Sequence, residues 1–321
     1  MPKVLLSDND FPNLTLEQGL FKAAGIELAT AQCKTEDDVI AAAHDCAAIL
    51  LQYAPITAKV VTSLPKLCIV SRFGAGYDTV DTRACAEHGV WVANSPDYGV
   101  GEVATHALAL SLALMRNIVF YHRDIQAGRW HYLSSGPLRR ASEMTLGIVG
   151  LGRIGKRMAH VARNVFARVV ACDPYLIDGD FPAYVERRGL TELVAESDVV
   201  SLHVPLNEET RSMIGAALLA VAKPGAFLVN TSRGAVVDTD AAVAALETGR
   251  LAGLALDVLP AEPVPADSKL LAHPRVILSP HAAFYSIEAE RELRRKAAQN
   301  IITFFATGRP DYVVTAGHRR T

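Results

Sequence analysis

The chain has 321 residues, half of them apolar, with 32 basic against 34 acidic side chains and a formal net charge of −2. At about 150 residues per domain, that length points to two domains of a globular and not a disordered kind. The charge balance excludes the basic surplus that non-specific nucleic-acid binding requires. The best apolar run, Ala107–Met115, is bracketed by His106 and Arg116. It falls far short of the ~20 residues needed to cross a bilayer, so no membrane span is expected. The N-terminus turns polar at Ser7-Asp8, too early for a secretory signal. Cys33, Cys46, Cys68, Cys85 and Cys172 form no C-x-x-C, and the histidines form no H-E-x-x-H. The expectation is a cytoplasmic protein with reduced thiols and no protein-bound metal.

Short β-rich runs alternate with helical patterns along the chain. A first series of strands is expected at Val4–Ser7, Ala47–Leu51, Leu67–Ser71 and Val90–Ala93, with a helix over Leu16–Ala24. The stretch Val103–Gly128 then carries Val103, Ala107, Leu110, Leu114, Ile118, Tyr121 and Ile125 at steps of three or four. Its other side holds Leu108, Leu112, Met115 and Val119, which predicts a helix buried on two sides, at a domain junction or a subunit interface. A second series of strands follows at Thr145–Val149, Arg168–Cys172, Asp198–His203, Ala226–Asn230, Gly253–Asp257 and Val276–Ser279. Helices are expected over Asp238–Glu247 and Ile287–Phe305, and the latter can return the C-terminus to the first domain. Such alternation implies α/β architecture: two Rossmann-like, doubly wound parallel-sheet domains with a cleft between them.

Gly150, Gly152 and Gly155 form G-x-G-x-x-G directly after an expected strand, and a helical face of Ile154, Met158, Val161 and Val165 follows. The first glycine allows a tight turn, the second lets backbone approach a pyrophosphate, and the third packs helix against strand. The helix N-terminus adds N–H groups and partial positive charge. Arg153 stands beside that anion site, and Asp173 ends the next strand at about the ~20-residue spacing of the ribose acid. An acid there accepts from the ribose hydroxyls and repels a 2′-phosphate, which favours NAD over NADP.

Three further motifs each sit just beyond an expected strand: Asn230-Thr231-Ser232-Arg233-Gly234, Asp257-Val258-Leu259-Pro260-Ala261-Glu262-Pro263 and Ser279-Pro280-His281-Ala282-Ala283-Phe284. Ligands bind at the carboxyl ends of strands in open parallel sheets, so the three can converge. Hydride transfer to a 2-keto acid needs a proton donor, a cation for the carboxylate and a stacked nicotinamide. His281 suits the first role, with Glu262 pairing to its imidazolium and fixing the ring. Arg233 has the planar fork that grips a carboxylate in two places. Asp257 offers a contact to the nicotinamide side of the cofactor.

Taken together these residues resemble the D-isomer-specific 2-hydroxyacid dehydrogenases, over essentially the whole chain. Arg72-Phe73-Gly74-Ala75-Gly76-Tyr77-Asp78-Thr79-Val80-Asp81 is similar to that family's substrate loop, and Gly150 to Gly155, with Arg153 and Ile154, to its cofactor loop. Leu202-His203-Val204-Pro205-Leu206 and Asn230-Thr231-Ser232-Arg233-Gly234 are similar to its later cofactor and arginine signatures. The resemblance implies Arg233, Glu262 and His281 as the catalytic trio, and Arg72 with the amides of Ala75 and Gly76 as substrate grips. It places His203, Pro205 and Thr231 at the cofactor. It also implies a discontinuous substrate domain (residues 1–101 plus 292–321) around an NAD-binding domain (102–291), and a homodimer through the latter.

Ser95-Pro96-Asp97-Tyr98 and the segment from His281 to Ser286 look most like the C-terminal-binding-protein branch, with Phe284 as an apolar wall of the substrate pocket. That aromatic residue, and a chain that stops soon after the closing helix, speak against 3-phosphoglycerate as the substrate, although Arg72 suits a phosphate or second carboxylate. The leading expectation is an NAD-dependent dehydrogenase of a small D-2-hydroxy acid, with domain closure excluding water. The alternative is an NAD(H)-sensing, co-repressor-like module with incidental turnover. Formate oxidation is disfavoured, because the resembling enzymes carry glutamine beside the histidine where this chain has Glu262.

Overall fold

The structure is a computed structural model, described here for residues 1–319. Strands β1 (Lys3–Leu6), β2 (Glu27–Thr30), β3 (Ala48–Leu51), β4 (Ile69–Arg72) and β5 (Trp91–Ala93) alternate with helices Thr15–Ala23, Glu36–Ala43, Ala58–Ser63 and Thr82–Glu87. Helices Val100–Met115 and Ile118–Gln126 lead to β6 (Thr145–Val149), helix Arg153–Ala162, β7 (Arg168–Cys172), β8 (Glu186–Arg187) and β9 (Val199–Leu202). Then come β10 (Ala226–Asn230), helix Thr239–Glu247, β11 (Leu251–Leu256) and β12 (Val276–Leu278). Helix Ile287–Thr307 and β13 (Val313–Thr315) close the chain.

Contacts divide the chain into two compact units: Met1–Gly99 with the segment from Ser286 onward, and Val100–Tyr285. Junctions at 101/102 and 291/292 would cut helices Val100–Met115 and Ile287–Thr307 through their first turns. The division falls just outside both helices, whose i→i−4 hydrogen bonds hold each together. Ser286 marks the second boundary physically, since its side chain caps helix Ile287–Thr307 by accepting from the N–H of Ala289.

In the first unit the sheet order is β13-β5-β4-β3-β1-β2. Its pairs are parallel except β13, which runs antiparallel to β5. The central strand β3 is apolar throughout, and all four of its residues are buried. That is the pattern of strands covered on both faces. The closing helix is tied to helix Thr15–Ala23 by Arg294, which pairs with the fully buried Glu17 at 2.7 Å and stacks 4.4 Å above the Phe11 ring.

The second unit carries a wholly parallel sheet of order β12-β11-β10-β9-β6-β7-β8. The order reverses between β6 and β9, so their carboxyl ends form the crevice where dinucleotides bind in such sheets. Fully buried Leu146, Ile148, Leu202 and Leu254 form its centre.

Three strands lie outside the expected set: β2, β8 and β13. All are edge strands with little buried surface, so their burial patterns show no core periodicity. The expected helix over Val103–Gly128 is two helices, bent by 57°. Asn117 between them is left-handed (φ 50°, ψ 37°), a conformation that a right-handed helix cannot continue through. Burial differs accordingly: the first helix buries seven side chains, the second only Asp124. No single helix among the described residues is long and apolar enough to cross a membrane.

Candidate active site

The β6–helix turn is shaped by the lack of side chains. Gly150 is left-handed (φ 89°), and a Cβ there would lie 2.6 Å from the carbonyl oxygen of His203. A Cβ on Gly155 would collide with the Gly150 carbonyl, whereas one on Gly152 would meet nothing within 4 Å. Gly152 is also the N-cap of helix Arg153–Ala162 and provides no side-chain cap, so the helix presents bare N–H groups to that open space. Exposed Arg153 and half-buried Ile154 begin the helix.

A cavity of about 1020 Å³ opens from this turn, lined by Asp173, Tyr175, His203 and Pro205 among others. Asp173 braces the turn: its Oδ2 accepts from the Leu151 N–H at 2.9 Å and its Oδ1 from the Tyr175 N–H at 3.1 Å. His203 bonds Ser201 through Nε2 at 2.9 Å, and burial pushes its pKa down to about 4. Its Nδ1 and the Oγ1 of Thr231 are buried polar atoms with no partner among protein groups. Native structures rarely leave such atoms unpaired. Orphaned polar atoms at the ends of β9 and β10, beside a glycine cradle with free N–H groups, fit a dinucleotide.

The β10 and β11 ends carry the charged groups. Fully buried Asn230 clamps its loop by donating to the Arg233 carbonyl oxygen at 2.8 Å and accepting from the Ser232 N–H at 3.0 Å. Gly234 follows because a Cβ there would collide with the Leu259 backbone, so the arginine loop lies directly against the loop leading to Glu262. Glu262 Oε2 sits 2.8 Å from His281 Nδ1, and its Oε1 accepts from the Leu259 N–H at 2.8 Å. Burial pushes the Glu262 carboxyl up, but the bonds from His281 and Leu259, with the charge of Arg233, bring it below the ordinary carboxylate range.

His281 itself is left-handed, with φ 53°. Its N–H donates to the Asp257 carbonyl oxygen at 2.8 Å. The Asp257 carboxylate, almost wholly buried, accepts from Ser279 Oγ at 2.6 Å, the Ala282 N–H at 2.9 Å and the Ala283 N–H at 3.0 Å. Asp257 is therefore the anchor of the histidine loop, a role its place in the sequence did not show. Phe284, half-buried at the end of the loop, meets the Tyr285 ring edge-on at 6.4 Å.

The structure thus brings Arg233, Glu262, His281 and Asp257 together at adjacent strand ends of the second unit. Arg72, Ala75 and Gly76 belong to the first unit. There the Arg72 Nε donates to the Gln52 carbonyl oxygen at 3.2 Å, and its guanidinium lies along left-handed Gly74. Asn94 holds the loop through the Ala75 carbonyl at 2.7 Å, while Ala75 itself is exposed. Asn230, Gly234 and Ser279 lie within the three strand-end motifs, but their identities alone reveal no role. The signal for Gly234 was its position after Arg233, since a glycine at a loop crossing marks close backbone approach.

A family model for the NAD-binding domain of D-isomer-specific 2-hydroxyacid dehydrogenases matches residues 108–283. The chain is 40% identical to a glyoxylate reductase of Korarchaeum cryptofilum over 272 residues, 83% of this chain and 82% of that protein. In structure it is similar to a glyoxylate reductase from Paecilomyes thermophila, with TM-score 0.89, 28% identity and 98% of each chain covered. It is also similar to a D-lactate dehydrogenase from Aquifex aeolicus complexed with NAD and lactic acid, with TM-score 0.87, 26% identity and 98% and 100% of the two chains covered. The protein is an oxidoreductase acting on the CH–OH group of 2-hydroxy acids with a nicotinamide dinucleotide, and it belongs to the D-isomer-specific 2-hydroxyacid dehydrogenases.

Proposed function

We propose that the protein interconverts a small 2-keto acid and its D-2-hydroxy acid with NAD(H), using His281 as the proton donor, Glu262 as its partner and Arg233 as the carboxylate anchor. The observation that carries this reading is the 2.8 Å His281–Glu262 pair, one loop from Arg233 at the carboxyl edge of the sheet. A bound reduced nicotinamide supplies the hydride that adds to C2. His281 has Nδ1 engaged by Glu262, which leaves Nε2 to pass a proton to the carbonyl oxygen. The carboxylate of Glu262 stabilises the charged imidazole and fixes its plane. Arg233 binds the substrate carboxylate and draws electron density from the adjacent carbonyl. Phe284 forms an apolar wall of the pocket, and Arg72 with the N–H groups of Ala75 and Gly76 contributes to substrate binding.

For the cofactor, Gly150, Gly152, Arg153, Ile154 and Gly155 hold the pyrophosphate, and Asp173 the adenosine ribose. His203, Pro205 and Thr231 line the path between them and the nicotinamide. Three protein donors occupy Asp257, so one of about four lone-pair sites is left for the nicotinamide amide. NAD is favoured over NADP because Asp173 repels a 2′-phosphate, and because the nearby cations are already paired. Arg187 meets Asp178 at 2.6 Å, and Arg188 meets Glu186 at 2.6 Å and Glu196 at 2.7 Å.

A homodimer through the dinucleotide-binding unit is part of the reading. It is supported by exposed Ile118, Ile125, Trp130, Tyr132 and Leu133, at 48% to 87% of their full accessibility. The unpaired thiols suit a reducing, cytoplasmic setting.

The test is NADH and NADPH oxidation with a panel of 2-keto acids, glyoxylate first. At least one acid should be reduced, faster with NADH, and to the D-isomer where C2 is chiral. No reduction across the panel overturns the activity, and a monomer in analytical ultracentrifugation overturns the dimer.

A further inference from the structure

We infer that His106, on helix Val100–Met115, is a positioning residue for the catalytic loop, acting on His281 through Ser279 and Asp257. The inference rests on the proposed role of His281 as proton donor. A left-handed backbone is sterically costly for a residue with a Cβ, and it persists only where its surroundings hold it. Here the holding group is Asp257. It takes the His281 N–H on its carbonyl and the next two N–H groups on its carboxylate.

The proton positions behind Asp257 follow from what each group can donate. Ser279 has one hydroxyl hydrogen, and Asp257 Oδ1, which already takes the Ala282 N–H, accepts it at 2.6 Å. The Ser279 oxygen is then an acceptor toward the imidazole of His106, whose Nε2 lies 3.0 Å away. His106 must therefore carry its proton on Nε2. At 3.7 Å the same nitrogen is too far for a direct bond to Asp257 Oδ1, so the serine is the link.

The resulting chain runs His106 Nε2–H to Ser279 Oγ–H to Asp257 to the backbone of residues 281–283. Each bond polarises the next, from half-buried His106 and Ser279 to the almost wholly buried Asp257. Glu262 aims the imidazole of His281, while this chain aims the backbone that bears it. The donor at its far end comes from the first helix of the unit, far from the loop in sequence.

The test compares His106→Ala, His106→Gln and Ser279→Ala, with wild type and His281→Ala, in the full-length protein. NADH affinity is read by fluorescence titration, folding by thermal unfolding, and kcat and KM with the best keto acid. His106→Ala and Ser279→Ala should lower kcat about tenfold or more, because small displacements of a reacting group are costly, with NADH affinity within about twofold of wild type. His106→Gln presents an N–H from its amide and should recover kcat to within about threefold of wild type. A kcat for His106→Ala within about twofold of wild type overturns the inference while leaving the proposed function standing. Equal kcat losses in the alanine and glutamine variants, accompanied by weakened NADH binding, overturn it in favour of a general packing role. A wild type inactive on every keto acid overturns both.

Discussion

Two loops at the carboxyl edge of the second sheet reach their shapes by opposite means. The turn after β6 depends on atoms that are missing: Gly150 and Gly155 have no room for a Cβ, and Gly152 leaves its space open. The loop after β12 depends on atoms that are present, since Asp257 and Glu262 supply acceptors that hold a strained His281, and Ser279 donates to Asp257. A steric cradle fails when something is added, and a polar scaffold fails when something is removed. The cradle is therefore sensitive to side-chain size, and the histidine loop to hydrogen bonding and charge.

The largest expected effect tests the polar loop. His281→Ala should reduce kcat by about 10² to 10⁴, the usual worth of a positioned acid, while NADH affinity stays unchanged. Turnover near that of wild type would remove the loop's chemical role. Glu262→Gln keeps a hydrogen-bonding side chain but loses its charge, and its kcat should fall less than that of His281→Ala. The net downward shift of the Glu262 carboxyl also has a pH consequence. Its stabilising contribution is present above the ordinary carboxylate pKa, about 4.3, and is lost as pH falls through its lower folded value. A kcat profile whose acid limb from this group lay above that value would contradict the pairing.

Two alanine variants probe the cradle. Gly155→Ala forces a Cβ against backbone and should cost about 1–3 kcal/mol of stability, read by denaturant titration. Gly152→Ala should cost less stability than Gly155→Ala, since it only puts a poorer residue at the N-cap. It should also weaken NADH binding, because the new methyl occupies the space open to the pyrophosphate. Equal stability losses in the two variants would erase the distinction between them.

The smallest effect belongs to His203, which lies between the two loops. Burial holds its pKa at about 4, whereas the unfolded chain protonates it near 6.5. The unfolded state therefore binds more protons between those values, and stability falls as pH drops from about 6.5 toward 4. At pH 5.5 the loss is about 1 kcal/mol, roughly 2–4 °C of Tm in a unit of this size. His203→Gln should flatten that part of the Tm profile, and an unchanged slope would refute the neutral buried imidazole.

How much of this was legible depended on whether a feature was local. The core strands showed as apolar runs because both faces are covered, and the cradle showed because glycine spacing in sequence is the steric requirement itself. The edge strands β2, β8 and β13 gave no such signal, since β8 is two exposed residues and β13 pairs with β5 from the far end of the chain. The break at Asn117 was hidden because apolar spacing continues across it, and only the left-handed backbone ends the first helix.

The sequence by itself determined the two α/β series, the dinucleotide fingerprint, and the identities of Arg233, Glu262 and His281 as chemically suited groups. Only the tertiary structure decided which partners each group has. Asp257 turned out to hold a backbone loop, Asn230 and Gly234 to set the arginine loop, and His106 to stand behind Ser279. The physical reason is range: steric rules and periodicity act between near neighbours in the chain. A buried carboxylate takes its donors from wherever the fold brings them: Asp257 takes Ser279, Ala282 and Ala283, and His106 reaches it only through Ser279.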